Sequence, residues 1–466
     1  MTISLTQNNL DAIAALGVPV PRYDRRAVSP RILHVGVGGF HRAHMARYTD
    51  DVAASGGGWG ICGVGLLDAD RRMADALGQQ DGLYTLVERD NDGSMPRVVG
   101  SIVEYGLVVG NEAEFSRRVA DPEIAILSMT ITEGGYSLAG GNSTIETIVS
   151  GLDARLAAGG RPITILSCDN LPDSGAVTRH AIATVAAARS ADLLRYVEQS
   201  CTFPTSMVDR ITPQTRDEDV RWLRDDVGID DAWPVVCESF RQWVVEDDFA
   251  AGRPAWEDVG VLFTDRVHDW ELYKLRMLNA SHSCMAYLAA LAGVEFVDEA
   301  IAIPALRQYL ERFLSTEAIP TLVEIPGHPA RDYAETVFRR FENGNVRDQI
   351  ARLCIDGTSK FPSFLIPTID AQLERGGPVD CAALALAGWA RYLATVPAAE
   401  RAPDPHADEA AAAAEDPAAF LELDLVFTPS IRENERFRET FFAATRELAE
   451  RGALTAMQNL GEPQIA

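Results

Sequence analysis

The sequence predicts a mixed α/β fold, in which an N-terminal domain built on a parallel sheet with added β elements precedes a mainly α-helical C-terminal domain. Up to residue 266, short apolar runs alternate with segments of helical spacing, a pattern typical of β-α-β units. From residue 267 onward, apolar residues recur every three or four positions, as they do in packed helices. We therefore place the two domains at residues 1–266 and 267–466.

The first β-α-β unit contains a glycine-rich turn. An apolar run from Arg31 ends at Gly36-Val-Gly38, and a helix-compatible segment follows. A second apolar run, residues 60–67, ends at Asp68-Ala-Asp70. The glycines allow backbone N–H groups to approach a pyrophosphate, and an acid after the second strand binds the adenosine ribose in dinucleotide-binding domains. His41 replaces the third glycine of that motif, so the turn alone is weak evidence for a Rossmann-type domain.

The remaining β elements are predicted from alternation and turn residues. Residues 83–89 and 98–108 alternate on either side of Asp92-Gly93, as the arms of an antiparallel hairpin do. Two further buried strands are predicted at residues 124–131 and 163–167, and a helix is predicted between them at residues 144–158.

The C-terminal domain is predicted to consist of helices near residues 271–292, 298–314, 330–342, 346–354 and 379–395. Ala402–Pro417 is rich in alanine and proline. We interpret it as a loop that leads into a helix and has no function of its own.

Composition excludes several classes of function. The chain has 466 residues, of which 47% are hydrophobic and 24% charged, as in ordinary globular proteins. A formal charge of −26 disfavours nucleic acid and anionic membranes as partners. We find neither a signal-peptide pattern nor an apolar run of the ~18 residues that a membrane span needs. We expect a cytoplasmic protein.

The histidine cluster His34, His41 and His44 is the one grouping that suggests a metal. It lacks the H-E-x-x-H arrangement, and the seven cysteines form no C-x-x-C pair, so we expect no metal site. The sequence also lacks the G-x-S-x-G and G-x-x-x-x-G-K-[ST] motifs of acyl and phosphoryl transfer enzymes.

Two polar clusters are candidates for the chemistry. Lys274, Asn279 and His282 fall within about 140° of arc on an ideal α-helix, so they face either a cleft or solvent. Asn170, in Ser167-Cys-Asp-Asn170-Leu-Pro, follows a predicted strand. It lies either at a ligand site or in a turn that caps a helix.

These clusters resemble motifs of the mannitol 2-dehydrogenase family of polyol-specific long-chain dehydrogenases. Four motifs occur in the same order over most of the chain: Gly36-x-Gly38-Gly39-Phe40-His-Arg-Ala-His44, Ser167-Cys-Asp-Asn170-Leu-Pro, Met207-Val-Asp209-Arg-Ile-Thr-Pro213 and Lys274-x4-Asn279-x2-His282. Thr132-Glu-Gly-Gly-Tyr136 and Asp356-Gly-Thr-Ser-Lys360-Phe-Pro are also similar to family motifs. Met45 departs from the family, which often has glutamine there.

The resemblance implies NAD(P)-dependent, metal-independent oxidation of a secondary alcohol of an acyclic polyol to a ketose, and the reverse reduction, in a cleft between a Rossmann domain and a helical domain. We expect NAD as the cofactor, because a carboxylate at Asp70 repels the 2′-phosphate of NADP. It implies catalytic roles for Lys274 as acid/base, Asn170 and Asn279 as carbonyl-polarising donors, and His282 as the residue that orients the substrate. The substrate-binding residues that it implies are Asp209, Arg352 and Lys360. The implied cofactor-binding residues are Gly36, Gly38, Gly39, Phe40 and Asp70, with Asp68 as an alternative to Asp70.

Several questions stay open at this stage. Glu271 is either a proton relay to Lys274 or an ordinary surface carboxylate. The substrate is either a polyol of the mannitol, arabinitol or sorbitol type or a hexuronate, because Arg352 and Lys360 suit a carboxylate. A non-catalytic NAD-sensing protein is a third possibility. The resemblance leans towards a monomer, and the sequence does not fix the oligomeric state.

Overall fold

The computed structural model describes residues 2–138 and 143–460. The chain divides into two compact units, Met1–His268 and Asp269–Ala466. Within the residues described, no helix combines the length and the apolar character that a membrane-spanning helix needs.

The strands of the described residues all lie in the first unit. They are β1 (Ile3–Ser4), β2 (Ser29–Val35), β3 (Trp59–Gly65), β4 (Tyr84–Asp90), β5 (Gly93–Val99), β6 (Ile102–Leu107), β7 (Ile126–Met129), β8 (Ile163–Ser167), β9 (Cys201–Thr202), β10 (Ser206–Asp209), β11 (Ile229–Asp230), β12 (Val235–Glu238), β13 (Gln242–Val245) and β14 (Leu262–Phe263).

The α-helices of the first unit are α1 (Leu10–Ala14), α2 (Gly39–Ala43), α3 (Met45–Ala54), α4 (Arg71–Gln79), α5 (Glu112–Ala120), α6 (Ser143–Ala157), α7 (Ser174–Arg189), α8 (Ala191–Ser200) and α9 (Asp217–Trp222). Those that follow are α10 (Val267–Tyr273), α11 (Ala280–Leu291), α12 (Val297–Ile301), α13 (Pro304–Arg312), α14 (Ala330–Phe341), α15 (Ile350–Leu353), α16 (Gly357–Lys360), α17 (Ile366–Arg375), α18 (Asp380–Thr395), α19 (Ala407–Ala413), α20 (Pro417–Phe420), α21 (Pro429–Arg432) and α22 (Glu435–Asn459). Segments of π-helix occur at Leu223–Val227, Lys274–Asn279, Phe313–Ala318 and Phe361–Leu365.

The first unit is organised around a six-stranded sheet with the order β6-β3-β2-β7-β8-β9. Every neighbouring pair in it is parallel. In chain order this is the 3-2-1-4-5-6 arrangement of dinucleotide-binding sheets, whose direction of winding reverses between β2 and β7. The predicted Rossmann-type domain is therefore confirmed.

Both faces of this sheet are covered, which explains why its strands read as continuous apolar runs. Successive side chains of a strand point to opposite faces. Ile32 accordingly packs in a core with residues of α3 and α4, whereas its neighbour Leu33 packs in a core with residues of α5 to α8.

The predicted hairpin has different arms from those expected. β4 pairs with β5 from Tyr84 opposite Val99 to Asp90 opposite Gly93, because the two-residue loop between Asp90 and Gly93 places the second arm immediately after the turn. The second predicted arm, residues 98–108, instead contains the end of β5 and all of β6. β6 pairs in parallel with β3 at the edge of the main sheet, so the assignment of 98–108 to one hairpin arm is wrong.

The second unit is helical, as predicted, but several long helices are interrupted. The predicted helix 298–314 is divided into α12 and α13, which begins at Pro304, since proline is favoured at the first position of a helix. Most of the predicted segment 346–354 is not helical, because Arg347 has a positive φ of 55° and Gln349 forms a bridge with Phe296. Only α15 remains there.

Glu317 is a buried carboxylate in the π-helical segment that follows α13. It accepts hydrogen bonds from the backbone N–H groups of Cys381 at 2.6 Å and Ala382 at 3.0 Å, which belong to the first turn of α18. Burial raises the pKa of Glu317 from 4.5 to about 7, although the two N–H groups oppose the shift. The folded protein therefore binds a proton here that the unfolded chain releases at lower pH.

We predict that the contribution of this proton to stability decreases as the pH rises. The folded pKa is the higher one, so its contribution is complete below pH 4.5 and is lost through pH 7, by about 3 kcal/mol in total. The unfolding free energy of Glu317→Gln relative to that of the wild type should therefore rise by about this amount across the window, whereas that of Glu415→Gln, at an exposed position, should stay constant relative to the wild type. Urea titrations at several pH values measure this slope, and equal slopes for wild type and Glu317→Gln would contradict the assignment.

Candidate active site

The glycine turn lies where the winding of the main sheet reverses. Gly36, directly after β2, has a φ of +88°, and a Cβ there would lie 2.2 Å from the Thr130 carbonyl oxygen. The Thr130 hydroxyl donates to the Gly36 carbonyl oxygen at 2.6 Å. No side chain fits at Gly36, whereas a Cβ at Gly38 would meet nothing closer than the Gly36 oxygen at 3.9 Å. The turn thus leaves backbone open for the close approach of a pyrophosphate at the start of α2.

The histidine cluster packs beneath this turn as neutral rings. The rings of His34 and His41 stack with centroids 3.5 Å apart. The two ring nitrogens of His34 contact the hydroxyls of Ser128 at 2.9 Å and Thr130 at 3.1 Å. Because Thr130 gives its hydrogen to Gly36, Nε2 of His34 donates to Thr130 and Nδ1 accepts from Ser128. Burial lowers the pKa of His34 to about 3, so the ring supports the loop as an uncharged group.

The acids after β3 differ in their surroundings. Asp70 is half-buried and accepts a hydrogen bond from the Leu67 backbone N–H at 2.9 Å. Asp68 is exposed and pairs with Arg71 at 2.9 Å. The guanidinium of Arg72 lies 4.1 Å from the ring centroid of Trp233. Both arginines next to the acids are therefore engaged by other side chains, and Asp70 is fixed in the turn that follows β3.

Asn170 and Asp209 each follow the end of a strand. Asn170 is exposed, three residues beyond the end of β8. Asp209 is the buried last residue of β10. Its neighbour Arg210 forms an ion pair with Glu88 and donates to the Ala43 carbonyl at the end of α2. This arrangement connects β10 to the helix that begins at the glycine turn.

In the second unit, Lys274 and Asn279 are the first and last residues of a π-helical segment. Lys274 is 7% exposed and Glu271, three residues earlier, is 4% exposed. The expectation of 100° per residue is wrong over this segment, because a π-helix has more residues per turn. Such segments are rare and occur frequently at functional sites. The burial of Glu271 also excludes its interpretation as an ordinary surface carboxylate.

Asn279 and His282 present buried polar atoms that lack partners. Among the described residues, neither Oδ1 of Asn279 nor Nε2 of His282 has a hydrogen-bond partner. The His282 ring lies 4.6 Å from the Phe341 ring. Burial lowers the pKa of His282 to about 3, and the charges of Arg352, Arg340 and Lys360 act in the same direction, against Asp348. His282 is therefore neutral near pH 7 and suited to orient a hydroxyl rather than to carry a proton.

Arg352 and Lys360 lie near this histidine. Asp348 binds Arg352 through two hydrogen bonds of 2.6 Å. The Lys360 ammonium donates to the carbonyl oxygens of Arg352 at 3.3 Å and Leu353 at 3.2 Å. Burial, followed by the charge of Arg352, lowers the pKa of Lys360. The charge of Arg352 is thus balanced by a carboxylate of the protein.

Comparison with known proteins identifies the family. Residues 30–258 match the family model described as "Mannitol dehydrogenase Rossmann domain", and residues 266–449 match "Mannitol dehydrogenase C-terminal domain". The chain belongs to the mannitol dehydrogenase family. This confirms the resemblance inferred from the sequence motifs.

Full-length relatives and solved structures agree with this membership. The chain is 39% identical to a mannitol 2-dehydrogenase of Phaeosphaeria nodorum over 97% of its own length and 84% of that protein. It is 37% identical to one of Aspergillus fumigatus over 98% of both. The structure of Pseudomonas fluorescens mannitol 2-dehydrogenase, a ternary complex with NAD and D-mannitol, is similar with a TM-score of 0.89 and 39% identity, covering 98% of this chain and 99% of that one. The structure of a D-sorbitol dehydrogenase in substrate-free form is similar with a TM-score of 0.89 and 34% identity, and the match covers 97% of this chain and 100% of that one.

Two groups that support the mannitol dehydrogenase motifs were missed in the sequence. One is Asp348, whose spacing of four residues before Arg352 was a usable signal for an ion pair. The other is Asp404, in the alanine- and proline-rich segment. Its carboxylate accepts from the backbone N–H of Thr358 at 2.8 Å and from its hydroxyl at 2.6 Å. The segment that we took to lack a function therefore holds α16, the short helix that ends at Lys360.

We predict that the histidine cluster destabilises the protein in mild acid. Burial lowers the pKa values of His34 and His44 to about 3, and that of His41 well below its usual value. The folded pKa values are the lower ones, so this stability is present above about pH 6.5 and is lost as the pH falls towards 3. Because unfolding near pH 5 takes up three protons, the free energy of unfolding should fall by about 4 kcal/mol for each unit by which the pH is lowered.

Urea titrations between pH 7 and 5 test the slope. Imidazole nitrogen NMR at pH 5 tests its cause, because the rings of the cluster should remain neutral. Protonated rings in the cluster at pH 5, or a flat stability profile, would contradict the prediction.

Proposed function

We propose that this chain oxidises a secondary hydroxyl of an acyclic polyol to the ketose with NAD, catalyses the reverse reduction, and needs no metal ion. That it is an NAD-dependent polyol dehydrogenase follows from its family, as the sequence predicted. The observation that carries the detailed proposal is the segment 271–282, which brings a buried amine, an amide and a neutral imidazole together on consecutive turns.

The first unit has a donor set that fits NAD. The close backbone contact at Gly36 and the open space at Gly38 suit a pyrophosphate, and Gly39 and Phe40 start the helix that follows. In this proposal the carboxylate of Asp70, in the turn that follows β3, accepts bonds from ribose hydroxyls. When bound, NAD supplies the hydride acceptor.

In this proposal Lys274 is the general acid/base. A lysine is a base only as the neutral amine, and burial favours that form. Lys274 then takes the proton of the substrate hydroxyl, while the amide groups of Asn170 and Asn279 donate hydrogen bonds to the developing alkoxide. His282 orients the hydroxyl with its free Nε2. Glu271, buried one turn before Lys274, serves as the proton relay.

The pairing of Arg352 favours a neutral substrate. A hexuronate would have to compete with Asp348 for a guanidinium whose two-pronged bond is already formed. Asp209, Arg352 and Lys360 are better suited to hydroxyl groups of a polyol. The hexuronate reductase remains the second candidate, because Lys360 carries no carboxylate partner of comparable geometry in the described contacts.

An assay of NADH formation separates these functions. The panel consists of mannitol, sorbitol and arabinitol, with mannonate as the carboxylate-bearing analogue. We expect turnover of at least one polyol and little turnover of mannonate. The reverse order would favour the hexuronate reductase, and NAD binding without any turnover would favour a sensing protein.

We predict that Lys274→Ala lowers kcat for polyol oxidation by about 10²- to 10⁴-fold, the usual scale for losing acid/base help, while the affinity for NADH changes little. In the wild type, oxidation should increase with pH as the amine loses its proton. Steady-state kinetics between pH 6 and 10 measure both effects.

The chain offers an unusually direct control, because Lys274 and Lys360 are its only lysines. Lys360→Ala should raise KM and retain the pH profile of kcat. Protein labelled with ¹⁵N-lysine should give two side-chain resonances, of which the one lost in Lys274→Ala reports the pKa of the base. Near wild-type oxidation by Lys274→Ala across this pH range would remove the residue from its role.

We predict a preference for NAD over NADP, because the Asp70 carboxylate binds ribose hydroxyls and repels a 2′-phosphate. Asp70→Ala should reduce the ratio of kcat/KM values for the two cofactors by roughly 10- to 100-fold, the value of a charge-assisted hydrogen bond. Asp68→Ala is the matched control, since Asp68 pairs with Arg71. A narrowing of the ratio by Asp68→Ala alone would show that Asp68 is the ribose-binding acid.

A further inference from the structure

One carboxylate connects the two loops that follow β7 and β8. Asp169, the residue before Asn170, is 7% exposed. One oxygen accepts from the Thr132 backbone N–H at 2.9 Å, and the other accepts from the Ile131 backbone N–H at 3.0 Å and from the Tyr136 hydroxyl at 2.6 Å. All three donors belong to the loop after β7, so the carboxylate fixes that loop against the one that carries Asn170.

The loop held in this way contains a strained residue. Thr132 has a φ of +63° and a ψ of 165°, a region that essentially only glycine adopts, and threonine is β-branched. Such a conformation persists only when its surroundings enforce it. Asp169 is placed to enforce it, because it binds the N–H groups of Thr132 and of the preceding residue.

We propose that Asp169 is a positioning residue for hydride transfer. Its carboxylate holds Thr132 in the strained conformation, and the same hydrogen bonds fix the position of Asn170 at the carboxyl edge of the sheet. This inference rests on the proposed function, which assigns Asn170 to the developing alkoxide. Displacements of about 1 Å in such a group reduce rates by roughly 10²-fold, so positioning of this kind has a measurable consequence.

The role requires a carboxylate. Asp169 accepts from backbone N–H groups on both oxygens, whereas an asparagine has one accepting oxygen and would turn an NH₂ group towards a donor. The hydrogen bonds that Asp169 accepts from the loop after β7 form a clamp, and Asp169→Asn removes this clamp with a minimal change of side-chain volume. We expect kcat to fall by roughly 10- to 100-fold, with a change of less than about threefold in the dissociation constant of NADH, measured by its fluorescence.

The deciding experiment compares Asp169→Asn in two backgrounds, wild type and Thr132→Gly. Glycine adopts the conformation of Thr132 without strain. In the Thr132→Gly background the loop therefore depends less on Asp169 to keep that conformation. The loss of kcat caused by Asp169→Asn should be at least about fivefold smaller there. A residue that merely stabilises the fold would show the same loss in both backgrounds. Asp121→Asn, which removes an exposed carboxylate bonded to the Glu123 backbone N–H, is the matched control.

The proposal is overturned if Asp169→Asn retains kcat within about threefold of wild type, or if its loss is equal in both backgrounds. If Asp169→Asn does not fold, Tyr136→Phe, which removes one of the three donors, is measured in the same two backgrounds with the same criteria. If the wild type oxidises no substrate of the panel, the proposed function fails separately. Amide hydrogen exchange in peptides from residues 127–136 then tests the hydrogen bonds to Asp169 directly. The proposal predicts faster exchange in Asp169→Asn than in the wild type, and equal exchange overturns it.

Discussion

The contact between the Gly36 backbone and the Thr130 carbonyl oxygen determines what the first unit can do. A Cβ at Gly36 would lie 2.2 Å from that oxygen, so the residues that directly follow β2 and β7 pass each other at a distance that only glycine permits. All six strands of the sheet are parallel, and their carboxyl ends therefore lie at one edge. The glycine turn, the Thr132 loop and Asn170 share this edge because each follows one of these parallel strands. The clamp formed by Asp169 acts on loops that the sheet has already brought together.

Both units hold ionisable side chains that burial keeps uncharged or that a partner of opposite charge balances. The chain carries a formal charge of −26, yet several groups in and around the proposed site are neutral or balanced. Burial keeps His34 and His282 uncharged, and Asp348 balances Arg352. A polyol is uncharged and offers only hydroxyls, so donors and acceptors of fixed direction discriminate it better than net charge does. Charge develops only as the hydroxyl loses its proton, which is where preorganised amide donors are most effective.

The sequence was sufficient for the fold class and the family, because parallel strands buried on both faces and widely spaced motifs leave strong local signals. It was not sufficient for the edge of the sheet. β6 follows a hairpin in the chain and pairs far from it, and alternation cannot reveal a partner. The π-helical segment at Lys274 leaves no signal in apolar spacing either. Asp169 and Asp404 bind segments distant in sequence, and a single aspartate after a strand or in a low-complexity segment has many ordinary explanations.

The use of lysine gives an independent argument about the chemistry. Among 42 basic residues the chain has two lysines, Lys274 and Lys360, so arginine serves wherever a permanent positive charge is sufficient. A guanidinium stays protonated at any pH a protein tolerates, and it cannot take a proton from a hydroxyl. An amine loses its proton readily when buried, and Lys274 is buried. A chain that otherwise uses arginine and places an amine at this position has the residue type that a general base requires.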